Sequence, residues 1–348
     1  MEDIPGIRVD RVAAFFRERV PGGDTALRFE LISGGRSNLT YLVHGDGRTW
    51  VLRRPPLGHV LPTAHDMARE FRVLAALAGT DVPAPRPIAL CEDTTVNDAV
   101  FYVMDHRPGV VLHDGLPPGF ADGAAERHRM ASALVDTLVK LHAVDWRAVG
   151  LEGFGRPEGY LERQVRRWAT QWQGNKTADL PAVDTLLRRL AAAVPASPAP
   201  TIVHGDFRLG NMALDPGDPG RVVAVFDWEM ATIGDPLADL GYTLMYWPEP
   251  GEPVPAAIPP ITNQPGFPPR AFLVEEYARR SGRDVDHVDF YLVLAFTKLA
   301  VIAEGILKRF QLGQDAGTSG GFALRAAAPL AERALAIADA SADPRLRG

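Results

Sequence analysis

Residues 202–212 read I-V-H-G-D-F-R-L-G-N-M, and residues 222–229 read V-V-A-V-F-D-W-E. Together they set an acid at Asp206, an amide five residues on at Asn211, and a second acid at Asp227 closing an apolar run. Side chains of this kind suit the movement of a phosphoryl group. That reaction needs an aligned hydroxyl, and positive charge around the migrating group, more than it needs covalent help. A carboxylate at Asp206 can orient or deprotonate the hydroxyl, and an Asn/Asp pair can hold Mg²⁺ on a nucleoside triphosphate.

Working outward, residues 201–203 read as a short buried strand and residues 212–214 as the next one. The D-P-G-D-P-G of residues 215–220 is turn chemistry, and residues 222–226 form a β-branched strand that delivers Asp227 at its tip. A loop between two paired strands, followed by an acid ending a third, brings the three polar groups to one point. An H-x-D alone is common in turns and a lone Asp after a strand usually caps something, so the combination carries the reading. His204 is expected to brace the loop through hydrogen bonds rather than to act as a base.

The interval from Asp206 to Asn211 is that of the kinase catalytic loop H-R-D-x-x-x-x-N, with Gly205 in place of Arg. With its H-G-D-x-x-x-x-N, the chain resembles the aminoglycoside phosphotransferase-like branch of the protein-kinase fold, over roughly residues 31–244. Three stretches are similar to the subgroup associated with acyl-CoA dehydrogenases: S-G-G-R-S-N-L-T-Y-L-V at 33–43, V-L-R-R-P-P at 51–56 and A-E-G-I-L-K-R-F-Q-L-G at 303–313. The resemblance implies an α+β, bilobal protein-kinase-like fold. A small antiparallel-sheet lobe with one main helix, residues 1–105, would bind nucleotide, and a larger, mostly helical lobe, residues 106–348, would hold the catalytic and substrate-binding groups.

It also implies roles. Asp206 would be the catalytic base, and Asn211 and Asp227 the Mg²⁺ ligands. Arg208 would place a cation on the γ-phosphate, or equally hold the loop in shape. The turn of Ser33, Gly34, Gly35, Arg36 and Ser37 would lie over the triphosphate of ATP or GTP, although it departs from G-x-G-x-x-G. Arg53 stands where V-A-I-K places a lysine; being permanently charged and forked, it can grip phosphate and carboxylate alike. Its partner would be Glu70, beside the apolar stripe of a helix over residues 65–78. Val103, Met104 and Asp105 would form the hinge that meets the base. Asp239 would tie the catalytic loop from behind, as a structural group.

With 348 residues, 46% hydrophobic and 23% charged, the chain is long enough for two lobes and has an ordinary globular composition. A net charge of −6 argues against a nucleic-acid partner, and one cysteine, Cys91, excludes an internal disulfide framework. No uninterrupted apolar run reaches the length of a membrane span and the first residues are acidic, so no membrane association and a cytoplasmic location are expected. Helices are expected at 8–19, 126–142, 157–172, 182–193, 236–246, 270–281, 285–310 and 322–338, the last kinked or restarted at Pro329. Nine of the 30 prolines fall between Pro248 and Pro269, marking an irregular crossing loop. His142 reads as a helix end.

The acceptor is less legible. Aminoglycosides are polycations and their sites want surplus carboxylate. The segment 159–172 instead carries Arg163, Arg166 and Arg167 with Trp168 and Trp172, and a later helix carries Lys308 and Arg309. Basic groups beside aromatics suit an anionic acceptor such as a hydroxyacyl-CoA, and equally a solvated helix face. Three functions stay open: a small-molecule O-kinase using ATP or GTP and Mg²⁺, an aminoglycoside kinase, and a nucleotide-binding pseudokinase or interaction protein. Functional association with an acyl-CoA dehydrogenase is a further expectation of the resemblance.

Overall fold

The computed structural model describes residues 4–33, 38–57, 66–313 and 326–348. Chain order begins with helix α1 (Val9–Arg19), followed by strands β1 (Arg28–Ser33), β2 (Leu39–Gly45) and β3 (Arg48–Arg54). Next come α2 (Met67–Leu77), β4 (Pro87–Cys91), the short α3 (Thr94–Asn97) and β5 (Phe101–Asp105). The five strands form one antiparallel sheet in the order β1-β2-β3-β5-β4. Period-two alternation gives the sheet two buried faces. Trp50, Leu52, Phe101 and Val103 point to one, where Val12 and Phe16 of α1 cover them. Val51, Tyr102 and Met104 point to the other, toward Leu74 and Leu77 of α2. The side chain of Asp66 caps α2 by accepting from the Arg69 N–H at 3.0 Å.

The remaining chain is mainly helical: α4 (Ala124–Ala143), α5 (Tyr160–Asn175), α6 (Pro181–Ala193), α7 (Leu237–Met245), α8 (Arg270–Ser281), α9 (Val288–Gln311), α10 (Ala327–Ala340) and α11 (Pro344–Arg347). Pro329 lies in the first turn of α10, where its missing N–H costs no helical bond, so it starts that helix rather than kinking it. By length and composition α9 could cross a membrane, but 83% of its apolar window is buried inside the protein, against α5, α6, α7 and α10. The α7–α9 crossing is close because residue 241 is glycine: a Cβ there would lie 2.6 Å from the Tyr291 backbone.

Short strands set the catalytic loop among these helices, and here the expected pairing fails. β7 (Thr201–Val203) and β8 (Met212–Asp215), which flank the loop, do not pair with each other. β7 pairs with β10 (Thr232–Gly234), while β8 lies between β6 (Val110–Val111) and β9 (Asp218–Val225). The proline-rich turn is also tighter than its sequence suggests. Asp215 faces Asp218 across it and β9 already begins at Asp218, so Pro216 and Gly217 make the bend.

Candidate active site

The loop after β7 is held from behind. Asp239, fully buried on α7, accepts the backbone N–H groups of His204 at 2.6 Å and Gly205 at 2.7 Å. His142 is more than a helix end. Buried, it sets Nδ1 at 2.8 Å from the Tyr277 hydroxyl and Nε2 at 3.4 Å from Asp239. Burial alone would raise the Asp239 carboxyl, but His142 and the loop amides overcome it and hold it below the usual carboxylate range. Burial pushes the His142 imidazole down. Both shifts have the same sign: the unfolded chain binds these protons more readily. Their contribution is complete above an unfolded histidine value of about 6.5 and is lost as the pH falls, first through His142 and then, below about 4, through Asp239. We expect Asp239→Asn to cost about 3–5 kcal/mol at pH 7, from weakened bonds to two loop amides, each charge-assisted bond contributing about 1.5–3 kcal/mol. In urea unfolding, the gap from wild type should narrow below about pH 4; a constant gap would contradict the brace.

Gly205 departs from the kinase arginine for a steric reason. Its φ is +86°, and a Cβ would sit 2.8 Å from the Met230 Cβ and 2.9 Å from the Met230 carbonyl oxygen. His204 braces the loop: its Nε2–H donates to the Phe226 carbonyl at 2.9 Å, so its Nδ1 is free to accept the Asp206 N–H at 3.2 Å.

Asp206 is then fixed by two neighbours. The Nε–H of Arg208 donates to Oδ1 at 3.1 Å, and the Nδ2 of Asn211 donates to Oδ2 at 2.7 Å and to the Asp206 carbonyl at 2.8 Å. Both amide hydrogens of Asn211 are thereby committed, which leaves its Oδ1 as a pure acceptor. The 3₁₀ turn Leu209–Asn211 receives the Phe226 N–H on the Asn211 carbonyl at 2.8 Å, tying the exit of β9 to the loop. Asp227 follows with a left-handed φ of +66°, a conformation Asp tolerates better than most residues.

Arg53, buried on β3, reaches Glu70 with Nε at 3.0 Å and Asp227 with Nη2 at 2.6 Å. Glu70 is 1% exposed and also accepts from the Tyr102 hydroxyl and the Asn38 amide, each at 2.8 Å. Burial raises its carboxyl against the pull of Arg53. Glu229, the last residue of F-D-W-E, joins this cluster: the Asn38 amide donates to it at 3.1 Å. Burial, with Asp227 adding to it, pushes the Glu229 carboxyl up to about 7. Sequence reasoning gave neither Asn38 nor Glu229 a role, although the acid stood two residues past Asp227. Ser33 ends β1; Gly34, Gly35, Arg36 and Ser37 lie outside the described residues.

Four of these groups, Asn38, Arg53, Asn211 and Asp227, line one end of a cleft of about 450 Å³, within the range of small-molecule and cofactor sites. They make this end polar, while Val51, Leu74, Pro85, Met104, Val111 and Phe226 give the cleft apolar walls. Met104 and Asp105 of the expected hinge line it, with His106 and Arg107 continuing the wall. Val103 does not. The strand's alternation turns its side chain into the opposite core, and the hinge contact expected of it, made through the backbone, does not depend on that side chain.

The model of the phosphotransferase enzyme family matches residues 28–273. The solved structure of a proposed aminoglycoside phosphotransferase from Ralstonia eutropha is 35% identical, with a TM-score of 0.83 over 96% of this chain and 99% of that one. The chain belongs to the phosphotransferase enzyme family. Acyl-CoA dehydrogenase family member 11 of Homo sapiens is 37% identical over 314 residues, 87% of this chain but 39% of the relative. The phosphotransferase chain therefore spans about two fifths of that relative's length, and the likeness agrees with the subgroup resemblance. An aminoglycoside phosphotransferase in ternary complex with AMP-PNP and hygromycin B shares the fold, with a TM-score of 0.60 at 18% identity over 94% of this chain and 97% of that one.

A second, smaller cavity of about 40 Å³ in this phosphotransferase is lined by Gly205 together with Trp168, Tyr242 and Lys298. Near it, the Arg208 guanidinium stacks on Tyr246, 4.9 Å from the ring centre, and Tyr246 lies 5.2 Å from Tyr242. The basic residues noted on α5 and α9 take separate places. Arg163 donates to the carbonyls of Arg156 and Glu158, and Lys308 to that of Gly174 near the end of α5. Trp172 is core, its indole N–H on Asp184 at 2.9 Å. Of that group, Trp168 lines the cavity.

Proposed function

We propose that this phosphotransferase moves the γ-phosphoryl group of ATP or GTP, with Mg²⁺, to the hydroxyl of a small molecule. What supports the reading best is the convergence of Asn211, Asp227 and Arg53 in one cleft, with Asp206 hydrogen-bonded to Asn211. In this reading the base lies between the apolar walls of the cleft against Met104 and Asp105. Residues 1–105 supply the nucleotide-binding lobe and residues 106–348 the catalytic lobe. Asn211 Oδ1 and the Asp227 carboxylate are hard oxygen donors of the kind Mg²⁺ takes. Among the described residues no cluster of three His, Cys, Asp or Glu could hold a metal. A site completed by substrate phosphates, as is usual for this ion, fits that donor set. When bound, Mg²⁺ would neutralise charge on the phosphates. Asp206 aligns the acceptor hydroxyl and takes its proton, and Arg53 and Arg208 supply cationic contacts to the phosphates.

The acceptor side carries Arg208 and Lys298 beside aromatic rings, which favours an anionic or carbonyl-bearing acceptor over a polycation. A hydroxyacyl-CoA or related hydroxy-metabolite fits, acting in the cytoplasm in functional association with an acyl-CoA dehydrogenase. The test is a thermal-shift screen of nucleotides with Mg²⁺, followed by transfer assays on hydroxyacyl-CoAs, sugars, choline and aminoglycosides. We expect transfer to the hydroxyacyl group and none to the aminoglycosides. Nucleotide binding without transfer to any hydroxyl would favour a binding protein instead.

A further inference from the structure

Lys298 is the one lysine of α9 placed against the catalytic loop. Its ammonium donates to the carbonyl of Gly205, the residue before Asp206, at 3.2 Å. It stands 4.2 Å from the centre of the Tyr242 ring and 5.8 Å from that of Trp168, and faces the small cavity that these residues line with Gln164. Lys298 is half-buried among these rings, and the hydration its ammonium loses there must be replaced by polar partners. The only hydrogen bond it makes among the described residues is to Gly205, and an ammonium has three donors. Burial lowers its pKa to about 8, with Asp206 and Asp239 pulling upward, so it is mainly protonated at neutral pH.

We propose that Lys298 is the acceptor-recognition residue: its ammonium binds the carboxylate or thioester carbonyl oxygen of a hydroxylated acid whose hydroxyl lies against Asp206. This rests on the phosphotransferase reading above. Because Lys298 bonds the peptide oxygen adjoining Asp206, one short molecule can touch both groups, with the hydroxyl only a few carbons from the carbonyl. Trp168 and Tyr242 give the intervening hydrocarbon an apolar wall. The same ammonium repels a polycationic acceptor.

The experiment compares wild type with Lys298→Met and Lys298→Arg, each with Mg²⁺ and nucleotide. The acceptors are short-chain hydroxy acids, their CoA thioesters, and diols of matching length that lack the carbonyl. For Lys298→Met we expect KM for the acid or thioester to rise roughly 10- to 100-fold, the strength of one charge-assisted hydrogen bond. The diol KM, the nucleotide Kd and the thermal midpoint should barely move, and Lys298→Arg should recover part of the loss. Loss confined to the free acid, or to the thioester, identifies which oxygen is held. An equal loss for acid and diol would make Lys298 a structural group and overturn the proposal, as would no loss for either. Acceptor binding to wild type and Lys298→Met, followed by saturation-transfer NMR, provides the same comparison without turnover. If wild type transfers to no hydroxyl, the phosphotransferase reading falls, while the binding comparison still decides on Lys298.

Discussion

Asp206→Ala is expected to reduce phosphoryl transfer by at least the roughly 10²- to 10⁴-fold attributed to a positioned general base, while nucleotide still binds with Mg²⁺. The separation follows from how the loop is wired. Asn211 donates to the Asp206 carboxylate at 2.7 Å and also to the Asp206 carbonyl at 2.8 Å. The second bond survives truncation of the side chain, so the amide keeps its aim and its oxygen still faces the cleft. Arg208 loses its carboxylate partner but retains its place over Tyr246. Single-turnover transfer measured beside nucleotide calorimetry checks this. A loss of affinity matching the loss of rate would show that Asp206 serves binding rather than chemistry.

Asp227→Ala should instead damage binding itself. In the metal-binding role proposed above, its loss should cost more than the roughly 10- to 100-fold in affinity that follows even when an outer partner of a metal site is removed. The Mg²⁺ dependence of nucleotide binding should largely vanish with it. Asp227→Asn separates charge from backbone, because Asn tolerates the left-handed conformation that this position adopts at φ +66°. We expect the asparagine form to fold like wild type and to show most of the alanine defect. Calorimetric titration of nucleotide with and without Mg²⁺ provides the measurement, and unchanged Mg²⁺ dependence in both variants would remove Asp227 from the metal site.

The catalytic loop was legible because its chemistry is local: Asp206 to Asn211 is a five-residue interval, and one backbone turn closes it. Glu70 was legible through helix periodicity, and Asp239 through the family likeness. What sequence missed is what tertiary pairing decides. β7 and β8 look like partners because they flank one loop, yet each finds its neighbour elsewhere, β7 with a strand that comes after β9. Lys298 lies 93 residues beyond Gly205, on a helix whose sequence reads as core, and no spacing rule links them. His142 reads as the end of α4 until Tyr277 and Asp239 close around it from two other helices.

Arg53 has a final consequence. One guanidinium in the wall of the cleft sets Nε on a carboxylate of the sheet's own helix and Nη2 on a carboxylate from the helical half. Any polyphosphate that recruits this arginine must first draw it from Asp227. Its affinity is therefore the difference between two attachments, not the strength of one. Taking away Glu70 would leave the arginine to Asp227 and to Glu229, 3.8 Å away and also from the helical half, so the resting protein would hold its halves more tightly together and accept its ligand less readily.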